Sequence, residues 1–135
     1  MAFVLNKINS FSENLAEGKI NLGGTGITLA FTNTAHTATW DELADLTLCT
    51  GHANTSTKVL TISTSSQTSG TYALIADTLE ITASGDCGPF RYVYLYDDAS
   101  TGDKLIAYYD YGSTITLASG NIFKWSDPSG ILTLA

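Results

Sequence analysis

The chain has 135 residues and a mass of 14.3 kDa, which is the size of one compact domain. Apolar residues make up 44% of it, enough to form a hydrophobic core without disulfide or metal cross-links. Six Lys and Arg against 13 Asp and Glu give a net charge of −7, which would repel phosphate backbones and anionic lipids. We therefore expect a single domain over residues 1–135, with neither nucleic acid nor a membrane as a partner.

The amino terminus lacks the basic flank and apolar core of a secretion signal, and no apolar run approaches the roughly 20 residues that span a bilayer. Cys49 and Cys87 lie far apart in a chain without a CxxC motif. This spacing indicates neither a disulfide framework nor a zinc-ligand set. We expect two mostly buried thiols, no cofactor and no bound metal, in a protein made in a cytoplasm.

The first segment has the period of an amphipathic helix. Val4, Ile8, Phe11 and Leu15 follow one another at steps of four, three and four, which places them on one helical face. Gly18 is suited to the left-handed conformation that ends a helix. The pattern predicts an N-terminal helix over residues 1–18, ahead of a β-sandwich over residues 27–134.

From residue 27 the apolar period becomes two, which predicts a first strand over residues 27–31 with one buried face. Residues 39–42, Thr-Trp-Asp-Glu, have the pattern of a capping box with Thr39 as the cap, and predict a short helical turn after it. Residues 59–63 and 79–82 are further strand candidates. The polar stretch between them, residues 64–71, is typical of a long surface loop or a weak sheet edge.

The clearest strands come later in the chain. Phe90, Tyr92, Tyr94 and Tyr96 alternate with other side chains on a strand whose two faces are both at least partly covered, and the turn-forming residues 97–103 connect it to a second strand. These segments predict a β-hairpin. Shorter candidates follow at 114–117, 121–125 and 131–134. The fold class is therefore mainly β: a sandwich or jelly-roll-like fold of about seven to eight short strands with an N-terminal helix.

A hydrolase would need a nucleophile, a base and an orienting acid, and the available bases are His36 and His52. Neither lies in a nucleophile motif such as GxSxG, so both are interpreted as solvated loop residues and the chain is not expected to be an enzyme. Gly23-Gly24-Thr25-Gly26 lacks the Lys-Ser/Thr pair of a phosphate loop and precedes a strand, so no phosphate site is expected.

An acidic turn could in principle bind calcium, but its spacing does not match a calcium loop with ligands at every second position. We interpret it as a solvated hairpin tip. Its three carboxylates are Asp97, Asp98 and Asp103.

Tyrosines are concentrated in the two strands of the predicted hairpin, where they could form a stacking platform for bases or sugars, or a core edge and a protein interface. Tyrosine is enriched at interfaces because it combines a large rigid apolar body with a polar tip. The candidate interface residues are Phe11, Tyr92, Tyr94, Tyr108 and Tyr109.

Four stretches of the chain are similar to sequences of one known protein family. They are the amphipathic opening with residues 15–22 (LAEGKINL), residues 91–98 (RYVYLYDD), residues 105–112 (LIAYYDYG), and the closing pair FKW at 123–125 and SGILTL at 129–134. The chain resembles the small virion structural proteins of tailed bacteriophages and prophages, which include decoration, minor head and tail proteins. The resemblance covers the larger part of the chain, while residues 32–70 match only loosely.

In that family a helix leads into a first strand, the penultimate strand ends on tryptophan, and the chain finishes on a Gly-Ile-Leu-like strand. The resemblance implies a capsid decoration, or cement, protein that binds the major capsid protein on the outside of the head, in a particle assembled in the bacterial host cytoplasm. It also implies self-association as a dimer or trimer, and carries over no catalytic residue. The alternatives are a tail or neck subunit of the virion and, from another class, a carbohydrate-binding β-sandwich.

Overall fold

The computed structural model describes residues 2, 3 and 5–135, with side chains from Leu5 onward. The strands and the α-helix follow one another along the chain, with a 3₁₀ turn at Leu43–Asp45. They are β1 (Ala2–Phe3), β2 (Asn6–Lys7), α1 (Phe11–Ala16), β3 (Ile27–Thr32), β4 (Ile62–Thr68), β5 (Thr71–Ala76), β6 (Leu79–Thr82), β7 (Cys87–Asp97), β8 (Lys104–Leu117), β9 (Ile122–Trp125) and β10 (Leu132–Leu134).

These strands form a β-sandwich, so the predicted mainly-β fold class is confirmed. One four-stranded sheet has the order β1-β10-β5-β4, the other has the order β2-β8-β7-β3, and β6 and β9 form a separate two-stranded ribbon. All the pairings are antiparallel. Both sheets and the ribbon contribute to one hydrophobic core, whose fully buried residues include Leu29 from β3, Leu74 from β5 and Ile81 from β6.

Four rings pack together in one part of this core. Phe31 stacks on Phe90 with 4.4 Å between ring centroids, while Phe123 and His52 meet Phe31 edge to face at 5.5 and 5.7 Å. The expected stripe of Phe90 with Tyr92, Tyr94 and Tyr96 is therefore wrong at its first member. A register shift between Phe90 and Tyr92 turns Phe90 to the Phe31 side of the sheet.

The N-terminal helix is shorter than predicted. Residues 6 and 7 form β2 and pair with Tyr108 and Ala107 in β8, so the backbone groups of this segment bond to a strand and not to a helical turn. Helix α1 begins only at Phe11, and Gly18 follows it at φ +73°, as predicted. Ile8 and Phe11 are both fully buried, while the predicted contact of Val4 lies outside the described residues. The spacing that indicated one helical face therefore comes from a strand, a turn and a shorter helix, which together bury Ile8 and Phe11.

Strand β3 and the polar stretch 64–71 also differ from expectation. All six residues of β3 are buried, including Thr28 and Thr32, because segments on both faces cover it. Residues 64–71 are mostly β4, an edge strand that turns at Ser69 and Gly70 into β5. The weak-edge alternative is therefore correct and the surface-loop alternative is wrong. Strand β5 was not among the predicted strands.

The capping box lies three residues later than predicted. Glu42 is the N-cap of the 3₁₀ turn, and its backbone N–H donates to the Asp45 carboxylate at 3.0 Å. Both cysteines are buried thiols, as expected. Within the described residues, no helix combines the length and the apolar character needed to cross a membrane.

Candidate functional site: an aromatic groove between two strands

The β7–β8 pairing divides the tyrosines between the two faces of one sheet. Tyr94 lies opposite Tyr108 in the register, and the next pair along, Val93 and Tyr109, points to the other face. The two faces have different surroundings. The loop after β3 covers Tyr94 and Tyr108, whereas Tyr109 lies at the surface near β9.

The first face carries a closed aromatic cluster. His36 stacks on Tyr108 with ring centroids 4.4 Å apart, and a 2.8 Å hydrogen bond joins His36 Nδ1 to the Tyr94 hydroxyl. Trp40 closes the cluster by meeting His36 edge to face at 5.6 Å. Burial lowers the pKa of His36 and raises that of Tyr94, so both groups are held neutral near pH 7. This cluster fixes the loop after β3 on the sheet and buries the ring of Tyr94 completely.

The second face carries an open groove with a volume of about 240 Å³. Tyr109 and Tyr111 from β8 form part of its wall, with exposed fractions of 40% and 54%. The ring centroid of Tyr111 lies 6.2 Å from that of Phe123, which is one of the four rings packed together in the core. The groove therefore has rigid packed residues beneath it and exposed tyrosine above. Its remaining lining residues are Val93, Phe123, Lys124, Trp125 and Ser126.

Trp125 also lines the groove, but its one polar atom is buried. The side chain is 4% exposed, and its Nε1–H has no hydrogen-bond partner among the residues that the structure describes. An unsatisfied buried donor costs about 1–3 kcal/mol. Its neighbours Lys124 and Ser126 lie at the groove and contribute a cation and a hydroxyl. The groove thus offers aromatic surface together with hydrogen-bonding groups.

The candidate interface residues predicted from the sequence do not lie together. Phe11 and Tyr94 are fully buried inside the chain and are not surface residues, which corrects their assignment to an interface. Tyr92 and Tyr108 are half-buried, and Tyr109 alone of the five is exposed. Strand alternation in β8 would have separated Tyr108 from Tyr109, but it could not show that the loop carrying His36 covers one side.

Three aromatic residues of the groove were absent from the predicted interface. Tyr111 follows Tyr109 at the spacing of a strand face, so its inclusion was within reach of the sequence pattern. Phe123 and Trp125 also alternate, in β9. Their approach to β8 depends on tertiary packing, and no local pattern indicates it.

A charged cluster lies elsewhere, where α1 meets the segment before the 3₁₀ turn. The Asp41 carboxylate accepts hydrogen bonds from Ser10 and Asn14 at 2.6 and 2.7 Å and from Lys104 Nζ at 2.6 Å. Burial alone would raise the pKa of Asp41, but these donors outweigh it and lower the pKa to about 2. Lys104 also donates to Glu42 at 2.7 Å. The cluster links three segments that are distant in sequence.

An open polar depression of about 650 Å³ adjoins this cluster, and it is larger than the groove. Its charged groups already bond within the chain: Lys104 to Asp41 and Glu42, and Lys19 to Glu17. We therefore place the candidate binding surface at the groove and not at the larger depression.

The acidic turn was predicted to be a solvated hairpin tip, but one of its three carboxylates is buried. Asp97 is buried, and its carboxylate accepts the backbone N–H groups of Asn21 and Ala99 at 3.0 and 3.1 Å. It therefore anchors the glycine-rich turn before β3. Across the described part of the chain, no group of three or more His, Cys, Asp or Glu side chains is arranged to hold a metal ion.

The two histidines lie in loops, as predicted, but they are packed and not freely solvated. His52 lies against Phe31, and burial, followed by the nearby Lys58 charge, lowers its pKa to about 4. His36 is part of the closed cluster described above. Each imidazole has an aromatic neighbour that accounts for its position.

Comparison of the chain with protein-family models, with curated proteins and with solved structures finds no match.

Proposed function

We propose that the chain is a virion structural protein of a tailed bacteriophage, and specifically a capsid decoration protein that binds the outside of the head lattice. The four stretches that resemble such proteins support the proposal. The structural observation that carries it is the pair of exposed tyrosines, Tyr109 and Tyr111, at an apolar groove on a rigid sandwich. Exposed aromatic side chains over packed residues are typical of protein contact surfaces.

A decoration protein acts by binding and not by chemistry. Internal pressure strains a filled head, and a protein bound across the joints between capsid subunits stabilises the lattice by its own binding free energy. The groove is suited to a protruding side chain or loop of the major capsid protein, because Tyr109 and Tyr111 would be covered on binding while Phe123 below them is already fixed.

The test measures binding to heads that lack this protein, assembled from the major capsid protein of the phage that encodes it. Tyr111→Ser removes an exposed ring at the groove, and Val59→Ser, at a residue that is 42% exposed and does not line the groove, is the matched control. Loss of an interface hot-spot residue costs about 2 kcal/mol or more, so Tyr111→Ser is expected to weaken co-sedimentation with heads at least about 30-fold. Val59→Ser should bind as the parent does.

Equal binding by the parent and by Tyr111→Ser would contradict the groove as the contact surface. Failure of the parent chain to bind heads would contradict the decoration function itself. Immunogold electron microscopy of whole particles provides the second readout. Label on the tail or the neck would replace the decoration proposal with the tail or neck alternative.

A carbohydrate-binding function is a second candidate, because a shallow groove with exposed tyrosines is also suited to stacking against sugar rings. The indole of Trp125 would report such binding through its fluorescence. Titration with mono- and oligosaccharides should quench or shift this fluorescence if the groove binds sugars. The same titration with Tyr111→Ser should then show a weaker response, and no response of the parent would exclude the sugars tested.

A further inference from the structure

Two thiols that are 38 residues apart in sequence meet inside the fold. Cys49 Sγ and Cys87 Sγ are 3.7 Å apart, and both side chains are buried. Their backbone is held on both sides: the N–H of Cys49 donates to the Phe31 carbonyl at 2.9 Å, and the N–H of Gly88 donates to the Thr50 carbonyl at 2.8 Å. The fold itself therefore brings the two sulfurs together.

Neighbouring contacts fix this geometry further. A Cβ placed on Gly51 would lie 1.8 Å from the Asp86 carbonyl oxygen, so the two segments approach as closely as glycine allows. Asn54 Nδ2 donates to the same carbonyl at 3.2 Å. The segment after Cys49 is thus packed along the segment before Cys87, and this packing holds the two sulfurs 3.7 Å apart.

We propose that Cys49 and Cys87 form a redox-active pair that a low-molecular-weight disulfide oxidises to an intrachain disulfide. In the first step Cys49 Sγ attacks one sulfur of the oxidant, a mixed disulfide forms, and the oxidant's other sulfur leaves as a thiol with the proton of Cys49. Cys87 Sγ then attacks Cys49 Sγ and releases the second thiol with the proton of Cys87. The protein loses two hydrogen atoms, and the oxidant gains them.

The environment sets the rate and the order of these steps. Cys49 retains 8% exposure and Cys87 none, so the oxidant reaches Cys49 first. Burial, and then the neighbouring Cys87, raises the pKa of Cys49 to about 12, which keeps it protonated near pH 7. The reaction is therefore slow at neutral pH and faster at pH 9. In a reducing cytoplasm the pair remains a dithiol.

The experiment equilibrates the native 135-residue chain with defined ratios of oxidised and reduced 2-mercaptoethanol. Samples are quenched in acid, unfolded, alkylated and weighed by mass spectrometry. The expected product is a monomer that is lighter by two hydrogen atoms and carries no alkyl group. A product that keeps two alkylatable thiols, two mixed disulfides or an intermolecular bond would overturn the proposal.

A second measurement separates a bond favoured by the fold from one that any two cysteines could form. The same equilibrium is measured in denaturant, and the native disulfide should be favoured by about 30-fold to 1,000-fold over the unfolded one, the usual range for a stabilising cross-link. A ratio of one or less would refute a site built by the fold.

The double variant Cys49→Ser/Thr50→Cys is the matched control, since it keeps two thiols but moves one by a single residue to an exposed position. It should lose most of the native preference. The same native preference in this variant would also overturn the proposal.

Discussion

Phe11→Ala measures whether the first residue of α1 belongs to the core of the chain or to a contact between subunits. Phe11 is fully buried within one chain. Burying a phenylalanine removes roughly 150–200 Å² of apolar surface from water, which at about 25 cal/mol per Å², less the retained methyl group, corresponds to roughly 3–4 kcal/mol. Incomplete collapse of the cavity adds to this cost. We therefore expect Phe11→Ala to lower the free energy of unfolding by about 3–5 kcal/mol.

Urea denaturation of the isolated chain measures this loss, and a thermal scan should show a melting temperature lower by roughly 10–18 °C. The matched control is Ile122→Thr, at a strand residue that is 57% exposed, and it should change the free energy of unfolding by less than about 0.5 kcal/mol. If Phe11→Ala unfolds at the parent's urea concentration, the reasoning from burial is refuted. If it also weakens self-association, Phe11 contributes to an interface.

Three further predictions follow from the same structure. The pKa of the Asp41 carboxylate is about 2 in the folded chain, below its ordinary 3.8. Its contribution of about 1–2 kcal/mol to the free energy of unfolding is therefore present above pH 4 and is lost as the pH falls through 2. Asp41→Asn should flatten this part of the plot of urea midpoint against pH, and an unchanged plot would contradict the role of the Lys104 contact. Gly51 has φ +72°, and an added Cβ there would lie 1.8 Å from the Asp86 carbonyl oxygen, so Gly51→Ala should lower the free energy of unfolding by roughly 3 kcal/mol or more. The control is Gly120→Ala, whose added methyl meets no atom of the described chain within 4 Å and which should cost about 1–2 kcal/mol. Equal urea midpoints for the two variants would refute the close approach. Far-ultraviolet circular dichroism should be dominated by β signal, and helix above half of the chain would be incompatible with a six-residue α1.

The alternation of apolar and polar residues in the sequence predicted the long strands correctly. Strands β7 and β8 alternate over many residues and are joined by turn formers, so the hairpin could be identified from the sequence. The helical period in the first segment predicted the wrong element for residues 6 and 7, because these residues pair with β8. The spacing of Ile8, Phe11 and Leu15 is that of a helix, yet β8 supplies hydrogen-bond partners to the residues just before them, and the helix begins late.

The groove could be predicted only in part, for a similar reason. Alternation identifies Tyr109 and Tyr111 as neighbours on one face of β8. Exposure depends on what covers each face of β8: the loop after β3, remote in sequence, covers the Tyr108 face, whereas β9 only borders the face of Tyr109 and Tyr111. The register shift beside Phe90 does have a sequence signal, because the β8 partner of β7 changes there from Asp110 to Ile115 and Gly112, at φ +86°, lies between them.

The position of β10 has a consequence for the order of folding. This strand lies between β1 and β5, pairing Leu132 with both Phe3 and Leu74, and Ile131 just before it is fully buried. The sheet β1-β10-β5-β4 therefore cannot close until β10 has left the ribosome. During synthesis β4 and β5 can pair as a local hairpin, but their sheet waits for a contact that spans nearly the whole chain. Such distant pairing slows folding, so we expect the edge of β5 that pairs with β10 to remain unpaired until β10 has left the ribosome.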